Sequence, residues 1–136
     1  MSRRPFVLVV CAVAAAALAL PAFGAAPSRS SISLVTLPAG SASVQSPSFG
    51  SQVTYTVLTS STSQPWVETD CYNQNGSLVY VETLGFFASA YKAPIFTLGP
   101  TPSWSAGPAS CVATLFSTDG NGKRRNLATT SFAVVS

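Results

Sequence analysis

Two carboxylates, Glu68 and Asp70, are the only acidic residues close together in the sequence. Two apart on an extended strand, they would point the same way about 7 Å from each other. A general acid and a general base at such a spacing flank the scissile bond in inverting glycoside hydrolases. The other nucleophilic chemistries lose a partner, because the sequence contains no histidine. That removes Ser-His-Asp and Cys-His arrangements and leaves Ser-Lys pairs built on Lys92 or Lys123 as thin substitutes. Strands of antiparallel sheets routinely turn such charges to water. The pair therefore reads as a solvated strand face, and the chain as a protein without catalysis, cofactor or metal.

The cysteines carry a different chemistry. Cys11 lies inside the apolar run Phe6–Leu20, which follows Arg3 and Arg4 and precedes Pro21 and the small residues Ala22 and Gly24. That layout is a signal peptide over residues 1–24, cleaved on export, with no membrane span left afterwards. Beyond it stand Cys71 and Cys111, an even pair that an oxidising compartment would join as a disulfide. The expected location is outside the cell or at its surface.

Charge changes with the leader gone. The whole chain carries a formal +3. Past residue 24, Arg29, Lys92, Lys123, Arg124 and Arg125 face Glu68, Asp70, Glu82 and Asp119, leaving about +1. This does not suit a nucleic-acid partner. Lys123-Arg124-Arg125 is the one charge run, and it reads as a hairpin tip able to touch an anionic envelope polymer or lipid head group.

The elements that must position these groups are strands. Residues 25–51 are rich in Ser, Ala and Pro and read as an N-terminal segment, with "ISLVTL" (32–37) a possible first strand. From residue 52 the stretches "QVTYTVLT" (52–59), "WVETDCYN" (66–73), "SLVYVETL" (77–84), "PIFTL" (94–98), "ASCVATLFS" (109–117) and "LATTSFAVV" (127–135) are β-branched or alternating. Asn75-Gly76 between two alternating runs signals a hairpin, because both residues tolerate positive φ. "TDGNGKRRN" would close another. About seven short strands make an all-β antiparallel sandwich over 52–136. Period-2 parity places Val67, Thr69 and Cys71 inward and Trp66, Glu68, Asp70 and Tyr72 outward, with Cys111 inward beside Ala113 and Leu115.

Taken together, "VTYTV", "PWVETDCY", "LVY", "FTLGP" with Trp104, "CVATLF" and "LATTSFAV" resemble a small immunoglobulin-like domain of the kind found in bacterial secreted and phage-borne proteins. The likeness spans 52–135. It departs from antibody domains in that Trp66 precedes Cys71 and Ala109 stands where a tyrosine is expected. If 32–37 is strand A, Cys71 falls on strand C and the bridge joins C to F within one sheet; if 32–37 is linker, Cys71 falls on B. The tight hairpin at 66–84 favours C. The resemblance implies no activity by itself.

Two surfaces stand out as binding candidates. One is the Trp66 and Tyr72 side of the hairpin, suited to stacking on sugars or anchoring a protein. The other is "GFFASAYKAPIF" (85–96), with Phe86, Phe87 and Tyr91, suited to presenting aromatics to a target. The expected function is non-catalytic binding or structural support, with an unidentified protein or envelope polymer as partner. The alternatives are a carbohydrate-binding module, an inhibitor-like effector using 85–96, and a small hydrolase using Glu68 and Asp70.

Overall fold

A computed structural model describes residues 29–38 and 46–136; the expected signal peptide lies outside the described residues. Seven strands form two antiparallel sheets. They are β1 (Ser31–Thr36), β2 (Gln52–Leu58), β3 (Trp66–Asn73), β4 (Leu78–Gly85), β5 (Phe96–Thr97), β6 (Ala109–Thr118) and β7 (Arg124–Val134). One sheet runs β1-β2-β5, the other β4-β3-β6-β7. Among the described residues no helix is long and apolar enough to cross a membrane.

The "ISLVTL" stretch is a full strand of the sandwich: all six residues of β1 pair with β2, from Ser31↔Leu58 to Thr36↔Val53. The stretch expected at 94–98 shrinks to two ladder residues, held further by Leu98 N–H donating to Ser51 O at 2.9 Å. β7 begins at Arg124, three residues earlier than the sequence pattern suggested, so Arg124 and Arg125 belong to a strand and not to the loop.

Alternation places the core as expected. Val67, Thr69 and Cys71 are fully buried, while Glu68 and Asp70 are only partly covered on the other face. Val53 and Tyr55 from β2, Phe96, Leu98, Ala113 and Leu115 complete the space between the sheets. Each of the larger apolar side chains among them contributes about 1.5–3 kcal/mol by leaving water. Tyr55 is the hub, edge-on to Phe96 at 5.3 Å between centroids and 6.4 Å from Phe132 of the facing sheet. One end is closed by Trp104, 2% exposed, whose indole N–H donates to Gly107 O at 3.0 Å. Phe49 meets it edge-on at 5.2 Å.

Cys71 and Cys111 are bonded, directly opposite each other on the neighbouring strands β3 and β6. The bridge thus lies within one sheet and joins the third strand to the sixth. Such a bond marks a protein of a non-reducing environment.

Both hairpins of the four-stranded sheet close by the same device. In 73–77, the Asn73 side-chain oxygen accepts from Asn75 N–H and Ser77 N–H at 3.0 Å each. In 119–123, Asp119 does the same for Asn121 and Lys123 at 2.9 and 2.8 Å. The fourth residue, Gly76 or Gly122, has φ of 79° in both. Within these two turns positive φ falls on the glycines alone; Asn75 does not adopt it. The side-chain cradle supplies what a left-handed asparagine would have supplied in a two-residue turn.

Candidate functional site

The outward face of the four-stranded sheet is a grid set by register. Across it run the rows Gly85–Trp66–Phe116–Asn126, Thr83–Glu68–Thr114–Thr129, and Val81–Asp70–Val112–Ser131. Tyr72, the last residue but one of β3, stands opposite Leu78 and Ser110. Trp66 and Tyr72 therefore share a face but stand six residues apart, about 20 Å along the strand. They are not one ligand subsite.

Trp66 finds its aromatic neighbours in the β4–β5 connection instead. It sits opposite Gly85, where no side chain competes for space, and Phe87 meets it edge-on at 5.3 Å. Phe87 also lies so close over Gly85 that an added Cβ there would stand 2.7 Å from its ring. The adjacent Phe86 turns the other way, into the core, 6.2 Å from Tyr55 and stacked at 6.4 Å on Phe96. Tyr91 is 100% exposed. With Trp66, Thr83, Gly85 and Lys92 it lines a depression of about 180 Å³. The two surfaces separated in the sequence reading, hairpin face and aromatic loop, meet at Trp66.

Next to Trp66 in its row, Phe116 is capped by the Arg124 guanidinium, 3.9 Å from the ring centroid. Arg124 also donates to Glu68 at 2.6 Å, and Thr83 donates to the other Glu68 oxygen at 3.1 Å. Both oxygens of Glu68 are thus engaged. Asp70, two residues on, has its carboxyl raised above the usual carboxylate range by partial burial and then by the Glu68 charge, with Arg124 opposing. Glu68, held by Arg124 and Thr83, beside a raised Asp70 is the arrangement nearest to acid-base chemistry here.

Beyond Arg124, Lys123 and Arg125 line a broader depression of about 520 Å³ with Ser61, Thr62 and Thr118. Among the described residues the only salt bridge is Arg124–Glu68, so Lys123 and Arg125 keep their charges toward solvent.

The charged side chains are unevenly placed along the sandwich, which the linear sequence conceals. Lys92, Lys123, Arg124 and Arg125 all lie at the end of the sandwich formed by the loops 59–65, 86–95 and 119–123. Arg29 joins them, because Ser31 pairs with Leu58 at that end and Ser30 and Thr59 share a 2.8 Å hydrogen bond. The opposite end, built from 46–52, 72–80, 98–111 and 131–136, carries no charged side chain. No family model matches the chain, and no curated protein or solved structure matches it either.

Proposed function

We propose that the protein is an exported, non-catalytic immunoglobulin-like binding protein whose recognition surface is the loop end around Trp66 and Tyr91. The observation that carries this reading is a fully exposed tyrosine beside a half-buried tryptophan in one depression. Exposed aromatics of this kind cost solvation in a free monomer and supply the anchors of binding sites.

The immunoglobulin-like reading is supported by the partition of strands. Written as letters, β1-β2-β5 and β4-β3-β6-β7 become A-B-E facing C′-C-F-G, with connections gathered at the two ends of the sandwich. Export is supported by the Phe6–Leu20 run and by the Cys71–Cys111 bond. A binding role without catalysis is supported by Glu68, whose oxygens are already committed to Arg124 and Thr83.

The test is capture from the producing cell's envelope and medium on oxidised protein, with a parallel Tyr91→Ser bait. A partner held by the first and lost on the second is the expected result. A partner held equally by both would move the recognition surface elsewhere.

A further inference from the structure

We infer that the charged end of the sandwich binds an acidic polysaccharide, the sugar rings stacking at Trp66 and Tyr91 while Lys92, Lys123 and Arg125 meet the acid groups. This deepens the loop-end reading and rests on it.

Three observations converge. The first is the distribution of charge: every cation of the described chain lies at one end, and the far end has none. Asp119 and Glu68 stand at that end too, but Glu68 is paired with Arg124, which leaves Lys92, Lys123 and Arg125 to attract an oppositely charged ligand. The second is chemical variety within that surface. An aromatic depression with one ammonium, from Lys92, lies to one side of the Glu68–Arg124 pair. A hydroxyl-lined depression with Lys123 and Arg125, and with Asp119 at its edge among the lining residues, lies to the other. A polymer of sugar rings bearing carboxylates presents flat apolar ring faces, hydroxyls and spaced charges, which these two depressions match in turn. The third is that Glu68 neutralises Arg124 while holding it over Phe116. The cations left to meet a ligand are therefore few, one in the aromatic depression and two in the hydroxyl-lined one.

That spacing decides between anionic polymers. Nucleic-acid binding draws its strength from many phosphate contacts, commonly about 6–10. Here Asp119 and Asp70 stand nearby and the unpaired cations are fewer. A membrane surface would call for apolar side chains at the tip, and 119–122 is Asp-Gly-Asn-Gly.

The experiment is a titration of purified oxidised protein with polygalacturonate, dextran and a thymidine oligonucleotide, read by calorimetry and by tryptophan fluorescence. Trp104 is buried at the far end, so a fluorescence change reports Trp66. The expected result is binding of polygalacturonate alone, weakened on the order of tenfold when salt is raised well above physiological strength. Tyr91→Ala should weaken it roughly three- to tenfold, and Lys123→Ala with Arg125→Ala at least as much. These side chains are exposed, so the variants should melt with the parent protein. No binding of polygalacturonate, or tighter binding of the oligonucleotide, overturns the inference. Equal binding of dextran that Tyr91→Ala abolishes overturns the acidic class while leaving the loop-end site in place. Polygalacturonate binding indifferent to Tyr91→Ala overturns the stacking role.

Discussion

The Tyr55 and Thr69 hydroxyls meet at 2.8 Å inside the core, one from each sheet. Thr69 has no solvent exposure, so its hydroxyl depends on this partner. Thr69→Val should leave the buried phenol unpaired and cost about 1–3 kcal/mol in urea unfolding. Tyr55→Phe combined with Thr69→Val should recover much of that loss, because both polar groups leave together. A double variant as unstable as the sum of the singles would contradict this pairing.

The same burial governs behaviour in alkali. Desolvation pushes the Tyr55 and Tyr80 phenols well above their ordinary range, with the Tyr80 hydrogen bond to Glu82 adding to it. The folded chain keeps protons that the unfolded chain releases, so stability falls as pH rises through the free phenol value of about 10. The melting temperature should decline above that point, and less steeply in Tyr55→Phe. A flat profile to strong alkali would count against buried phenols.

Asp70 gives the complementary acid-side result. A carboxyl raised in the folded state opposes folding once ionised, and the penalty disappears as pH falls below the unfolded value of about 4. Asp70→Asn should melt up to a few degrees above the parent at neutral pH, with the gap closing in acid. A variant less stable at neutral pH would mean that Arg124 outweighs burial there.

The disulfide joins two strands already hydrogen-bonded to each other, and both sulfurs are buried. Replacing Cys71 and Cys111 together by Ala should cost about 2–4 kcal/mol. Mild reductant should leave the native protein oxidised, with thiol labelling appearing only as urea opens the sheet.

Two glycines should differ in the cost of adding a methyl group. Gly76→Ala strains only the backbone at positive φ, on the order of 1 kcal/mol. Gly99 also has positive φ, of 86°, and a Cβ there would run into the Phe49 ring. Gly99→Ala should therefore lose distinctly more in the same unfolding assay.

How far the sequence could be read depends on where regular alternation stops. On β3 and β6 each residue has a definite side, so the inward cysteines and outward acids follow from parity. Parity gives a side but no distance, which is why Trp66 and Tyr72 look like one surface until the length of β3 separates them. Carried one step past the end of β4, it also parts Phe86 from Phe87, which leave in opposite directions. Arg124 and Glu68 are 56 residues apart and meet only because β7 is added beside β6. Trp104, in the irregular Thr101–Trp104 turn, shows no period at all, and only packing reveals it as core.

The twin hairpin cradles bear on how long the molecule lasts. Both contain Asn-Gly, the dipeptide in which the glycine nitrogen most readily attacks the asparagine amide, expelling ammonia and kinking the chain. Here the Gly76 N–H is tied to Asn73 O and the Gly122 N–H to Asp119 O, at 2.9 Å each. An N–H so held gives up its proton less readily, and ring closure requires that loss. Peptide mapping of aged protein should find Asn75 and Asn121 converting more slowly than in the same pentapeptides free in solution. The turn that shapes the sheet also slows its chemical clock.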